Sequence, residues 1–122
     1  MDLNSKIYLD YQSTTPVDER VIDKMNPFLN SYFANPHSTE HEMGRYVSRS
    51  VEDARMKVAK LINSDSREII FTSGATESNN LAIKGAARFY KDNNRDEIIT
   101  INTEHKCVIE SVSSLKKEGF KV

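Results

Sequence analysis

Two stretches of this chain carry residues whose types and spacing can do chemistry. The first is Phe71-Thr72-Ser73-Gly74-Ala75-Thr76-Glu77-Ser78-Asn79-Asn80. An apolar run runs into a turn of small residues and then into a helical pattern. Backbone N–H groups at such a helix start are unpaired and carry partial positive charge, so they can hold a phosphate without a lysine. Gly74 permits close backbone approach, and the Thr76 hydroxyl can add a hydrogen bond. The same composition also describes an ordinary capped helix start. The second stretch, Asn102-Thr103-Glu104-His105, occupies the same kind of position after the next apolar run. In an open α/β sheet, ligands collect at the carboxyl ends of strands. His105 can therefore face a ligand held at Ala75 and Thr76, stacking on a flat ring or transferring a proton. Taken alone, a capping or surface histidine is the simpler account. Cys107 follows in the first turn of a helix, where a nucleophile is conceivable. A small buried apolar residue suits it better.

A third pattern, His37-Ser38-Thr39-Glu40-His41, matches H-x-x-E-H. Two histidines four apart on a helix share a face and can hold zinc. Pro36 and a capping-box pattern at Thr39 and Glu42 place His37 ahead of the helix, and no third ligand is identifiable. No metal site is assigned.

The elements that must position these residues follow from periodicity. Ile7–Tyr11 reads as a short strand or extended arm. A helix starts near Thr15-Pro16, with Thr15 as cap, and carries Val21, Ile22, Met25, Phe28 and Leu29; Pro27 bends or restarts it. Asn35-Pro36 marks a turn. A long helix capped at Thr39 has one apolar stripe through Met43, Tyr46, Val47, Val51, Ala54, Val58, Leu61 and Ile62. Asn63–Arg67 is turn-like. Ile69–Phe71 is a strand, Glu77–Lys91 a helix, and Asp92–Asp96 a loop. Glu97–Asn102 is a second strand and His105–Glu118 a helix stopped by Gly119. Phe120–Val122 begins a third strand. The order strand, helix, strand, helix, strand predicts parallel β-α-β units in an α/β fold. The sheet reads as incomplete, with an uncovered edge, and weak independent stability is expected.

Composition narrows the function classes. The chain has 122 residues, enough for one modest core. Lys plus Arg total 17 and Asp plus Glu 18, a formal net charge of -1. That gives no electrostatic footprint for nucleic acid or an anionic membrane. The single cysteine excludes an internal disulfide framework. The four glycines, Gly44, Gly74, Gly85 and Gly119, are too far apart for a dinucleotide fingerprint or a Walker A loop. No apolar run approaches membrane-spanning length. A soluble cytoplasmic protein is expected.

Four blocks, taken together and in order, resemble a known family. They are Tyr8–Pro16, Asn35-Pro36-His37-Ser38, Phe71–Gly85 and Thr103–Val108. They are similar to the cysteine desulfurases of the IscS/NifS type, which are pyridoxal-phosphate enzymes of the aminotransferase class V. The presence of Cys107 resembles the bacterial and mitochondrial housekeeping branch. Ser13, Glu19 and Ser66 are small departures from the family pattern.

The resemblance implies the N-terminal part of the aspartate-aminotransferase-like fold. Residues 1–38 would form the N-terminal arm and helix of the small-domain side. Residues 39–122 would form the first part of the large cofactor-binding α/β domain. Ala75 and Thr76 would hold the phosphate of pyridoxal 5'-phosphate. His105 would stack on its ring and assist proton transfer. Asn35–Ser38 would border the entrance. The family converts L-cysteine to L-alanine and passes the sulfur on, as a persulfide, to iron–sulfur cluster or thiolation pathways. Its members are homodimers that work with a sulfur-acceptor scaffold.

Family members are several times longer. Their Schiff-base lysine, in a Ser-x-His-Lys motif, and their mobile persulfide cysteine lie downstream of the matched blocks. Neither is in these 122 residues: His105-Lys106 belongs to the Thr-Glu-His block, and Cys107 is not the persulfide cysteine. The expectation is an N-terminal portion, inactive alone, that works with a complementary C-terminal piece. The alternative is a non-catalytic remnant or interaction module associating with an intact desulfurase.

Overall fold

Among the described residues, 7–91 and 95–122 of a computed structural model, the chain forms four α-helices, short 3-10 turns and one β-bridge. The helices are α1 (Glu19–Asn30), α2 (Glu42–Leu61), α3 (Ala75–Tyr90) and α4 (Lys106–Leu115). They fall into two compact units, Met1–Ile69 with α1 and α2, and Ile70–Val122 with α3 and α4.

In the first unit both helix starts differ from the sequence expectation. Asp18, not Thr15, caps α1, and its carboxylate accepts the Arg20 N–H at 2.9 Å. A carboxylate is the stronger acceptor, and it also holds the Arg20 guanidinium at 2.7 Å. Pro16 therefore lies ahead of the helix. Pro27 sits inside α1 without ending it, and its carbonyl accepts from Ser31 and Tyr32. The capping box at Thr39 and Glu42 does not form. His41 caps α2 instead, its Nδ1 accepting the Gly44 N–H at 3.0 Å. The loop before it folds back on the helix. The Asn35 side chain accepts the His37 N–H at 2.9 Å, and Ser38 N–H bonds Asn35 O at 3.1 Å. The loop lies so close to Gly44 that a Cβ there would sit 1.8 Å from the Ser38 carbonyl oxygen. At the other end, Asn63 takes a left-handed φ of 55° and stops the chain from continuing helically. A 3-10 turn, Ser66–Glu68, follows; Asp65 and Glu68 close it reciprocally as a capping box, and the Arg55 guanidinium reaches the Ile69 carbonyl.

The second unit is built on one helix pair. α3 and α4 pack together, and Val112, Leu115 and Phe120 are buried, Leu115 completely. Burial of each such side chain is worth roughly 1.5–3 kcal/mol relative to exposure. The α4 stripe Val108, Val112 and Leu115 is thus placed as its spacing predicts. After α4 a 3-10 turn, Lys116–Glu118, ends at Gly119 with φ 88°. This left-handed position suits glycine, as expected of a helix stop.

The predicted strands are not formed as a sheet. Ile7–Tyr11 is irregular and runs into a turn in which Ser13 N–H bonds Asp10 O at 3.0 Å. Ile69–Phe71 carries no strand assignment among the described residues. Of the later two, only Glu97 and Lys121 pair, in a parallel bridge with Ile98 N–H on Lys121 O and Lys121 N–H on Asp96 O, both at 2.8 Å. The parallel sense of a β-α-β unit is present, but the ladder is not. Ile99 is 90% exposed, and Ile70, Phe71 and Ile101 are also exposed. A parallel strand is apolar on both faces and needs neighbours and cover to pair. Beneath the helix pair lies an apolar hollow of about 430 Å³, bordered by Ile83, Ala87, Ile98, Val108 and Val112. Residues 92–94 of the predicted loop lie outside the described residues.

Candidate functional site

The candidate site lies in the second unit, at the N-terminal ends of α3 and α4. α3 begins at Ala75, two residues before the periodicity suggests, with Gly74 as its cap. Glycine has no side chain to offer, so no side chain caps the first turn. The turn is pinned from outside it. Glu77 Oε2 accepts both the N–H and the hydroxyl of Ser73, each at 2.7 Å. These bonds, the backbone one foremost, hold the Glu77 carboxyl below its ordinary range. Thr72 Oγ1 and Ser78 Oγ are 2.6 Å apart. The start of α3 is therefore braced while the leading N–H groups at Ala75 and Thr76 keep no side-chain cap.

α4 is capped by His105. Its Nδ1 accepts the Cys107 N–H at 3.2 Å, and its carbonyl accepts from Val108 at 2.8 Å. The capping account of this histidine is thus realised through one ring nitrogen. Cys107 is buried, as its apolar reading predicts. Its Sγ lies 3.0 Å from His105 Nδ1 and accepts from Asn79 Nδ2 at 3.0 Å. Ser111 Oγ donates to the Cys107 carbonyl at 2.6 Å.

Thr76 and His105 line one cavity of about 390 Å³. Asn80 and Lys84 of α3, and Lys106 and Glu110 of α4, complete its polar wall. Lys106 and Glu110 form an ion pair at 3.5 Å on the helix surface. Ala75 opens α3 but is not among the lining residues. Asn80 and Lys84 were not singled out in the sequence, although Thr76, Asn80 and Lys84 recur every four residues and so share one helix face. Asn79 had no such signal, since its partner Cys107 is 28 residues away. His37 and His41 both precede α2 and share no helix face; His41 Nδ1 is already engaged by Gly44.

The chain was compared with known proteins. The family model for aminotransferase class V matches residues 7–122. Among curated relatives, the cysteine desulfurase IscS of Rickettsia rickettsii (strain Iowa) is 54% identical over 99% of this chain and 29% of its own length. The cysteine desulfurase IscS of Methylobacillus flagellatus is 52% identical over 98% of this chain and 30% of its own. Among solved structures, a NifS-like protein superposes with a TM-score of 0.79 at 42% identity, covering 90% of this chain and 30% of that one. DndA from Streptomyces lividans gives a TM-score of 0.76 at 43% identity, covering 95% and 32%. The chain therefore spans less than a third of the length of the relatives it matches. With the family model covering nearly every residue, this chain belongs to the aminotransferase class-V family and is similar to its cysteine desulfurases.

Proposed function

We propose that this chain is the N-terminal portion of a pyridoxal-phosphate-dependent cysteine desulfurase. It would contribute the phosphate and ring-contacting part of the site. The observation that carries the reading is the meeting of Thr76 and His105 on one cavity beside a helix start that no side chain caps. An uncapped helix N-terminus is a ready anion site. In this reading the N–H groups of Ala75 and Thr76 and the Thr76 hydroxyl hold the phosphate. The His105 ring lies against the pyridine ring, and Lys84 adds positive charge to the same wall. When bound, pyridoxal phosphate supplies an electron sink for breaking the bond to sulfur. This chain's residues bind and orient it; His105 can carry a proton at the ring nitrogen that the cap leaves free.

The Schiff-base lysine and the persulfide cysteine of the family pattern are not in these residues. Cys107 is buried and bonded to Asn79 and His105, which suits a structural thiol rather than a sulfur carrier. In this reading, conversion of L-cysteine to L-alanine also draws on family residues outside these 122. In the same reading, residues 1–38 belong to the small-domain side and 39–122 to the cofactor-binding domain, with Asn35–Ser38 at the entrance. The exposed apolar segments around Ile70 and Ile99 would be sheet strands awaiting neighbours.

Titration of the ¹⁵N-labelled chain with pyridoxal phosphate, and separately with inorganic phosphate, tests this. Both should move the Ala75 and Thr76 amide resonances. Only the cofactor should also move the His105 ring. Thr76→Val should weaken the response by about ten- to hundredfold, the worth of one hydrogen bond to a charged group. Amides that stay still with both ligands would overturn the phosphate assignment.

A further inference from the structure

Asn79, Cys107 and His105 form one line of hydrogen bonds between α3 and the cap of α4, and the direction of each link can be assigned. The Cys107 backbone N–H can only donate, and it points at His105 Nδ1. In the neutral ring, Nδ1 is therefore the acceptor nitrogen, and the ring proton sits on Nε2. Sγ lies 3.0 Å from that same Nδ1, so the proton between them belongs to the thiol, which donates. Asn79 Nδ2 can only donate, so the sulfur accepts from it. The two side-chain links point the same way, from the Asn79 amide through the thiol to the imidazole, and the Cys107 backbone N–H donates to the same ring nitrogen.

We propose that Asn79 and Cys107 are positioning residues that hold His105 in the Nε2–H tautomer with its ring plane fixed. Nε2 is then the one imidazole nitrogen left to bring a proton to the cavity that Thr76 also lines. Cys107 acts here as a hydrogen-bond donor, and its burial keeps it out of sulfur chemistry. The proposal rests on the reading of His105 as the ring-contacting residue. The molecule carries its own comparator. His41 caps α2 by the same bond, Nδ1 to the Gly44 N–H, without a thiol two residues on.

The experiment is ¹⁵N–¹H correlation spectroscopy of the histidine rings at mildly alkaline pH, which separates the two neutral tautomers. His105→Gln assigns the His105 signal by its disappearance. The unmodified chain should show His105 as a single Nε2–H species. Cys107→Ala should shift the tautomer ratio roughly two- to tenfold toward Nδ1–H, the worth of one neutral hydrogen bond. Cys107→Ser, which keeps a hydroxyl donor, should restore the ratio. Asn79→Leu should shift it in the same direction by less. His41 should not respond to any of these changes. Nδ1–H in the unmodified chain, or a Cys107→Ala ratio equal to that of the unmodified chain, would overturn the proposal. The same variants, titrated with pyridoxal phosphate and read at the Ala75 and Thr76 amides, report the cofactor reading separately. Responding amides with an unchanged tautomer sink the positioning role alone, and silent amides sink the cofactor reading.

Discussion

The α1–α2 region and the α3–α4 region start from similar material and end differently. Each has two amphipathic helices bearing an apolar stripe. In the second region α3 and α4 pack on each other, and Val112 and Leu115 of the α4 stripe are buried. In the first, α1 buries no residue, and of the predicted α2 stripe only Val47 is buried, with Leu61 85% exposed. A stripe specifies which face will seek cover, and only a partner supplies that cover. The two regions also hold their polar ends differently. The caps and ion pairs of the first are mostly local, such as Asp18 with Arg20 and Asp65 with Arg67. The second adds pairs that reach across the chain: Arg88 binds Glu118 through two bonds at 2.7 and 3.0 Å, Lys121 pairs with Asp96 at 3.1 Å, and Lys91 donates to the Glu118 carbonyl.

The sharpest way to break this contrast is Leu115→Ala. Leu115 is completely buried, and truncation should cost about 2–5 kcal/mol. Amide protection should fall throughout α3 and α4 and stay unchanged in α2. Equal loss in both regions would show that the division into two units is wrong. Gly44→Ala is the counterpart in the first region. A methyl group 1.8 Å from the Ser38 carbonyl oxygen must push the 35–38 loop away, at roughly 1–3 kcal/mol. Chemical shifts should move around Asn35–Arg45 and leave His105 in place. Gly119→Ala should cost roughly 1–2 kcal/mol, because φ 88° is strained for an L-residue, with faster exchange at Phe120 and Lys121 as the readout.

Acidification gives the smallest and most discriminating effect. Hydrogen bonds from Arg88 hold the Glu118 carboxyl below its ordinary value of 4.5, and Lys121 does the same for Asp96 against 3.8. Each group binds its proton more readily in the unfolded chain than in the folded one. Its contribution is therefore complete above the ordinary value and is lost as the pH falls through the lowered one. Asp18 and Asp65 are lowered too, foremost by the side-chain bond to an arginine two residues on. Such local pairs persist in part when the chain unfolds, so their linkage is weaker. Hydrogen-exchange profiles between pH 5 and 3 should show α4 and the Glu97–Lys121 bridge loosening before α1. Added salt should narrow the difference, since these groups are exposed. Loss of α1 protection first would reverse the comparison.

Much of the site was legible in the residues. A helix start close to Ala75 and Thr76, though placed two residues late, the position of His105 at the next one, the burial of Cys107 and the stop at Gly119 all follow from local chemistry. The similarity to cysteine desulfurases was carried by the resemblance of four ordered blocks to that family. The helix caps were less legible. Thr15 and Asp18, or Thr39 and His41, are all competent acceptors, and the choice depended on which could also hold Arg20 or accept the Gly44 N–H. Asn79 gave no signal, because its role comes from α3 lying against α4.

By itself the sequence determined the helices, their apolar faces and the motif residues at their N-terminal ends. These depend on interactions within a few residues: periodicity, caps, and the left-handed freedom of Gly119. Tertiary structure alone decided which faces are covered, that Thr76 and His105 share a cavity, and that Asn79 reaches Cys107. It also decided that the predicted strand segments 97–102 and 120–122 meet, among the described residues, in one parallel bridge between Glu97 and Lys121. A helix closes its own backbone hydrogen bonds, whereas a parallel strand must find them on another segment, so its neighbours determine whether it forms.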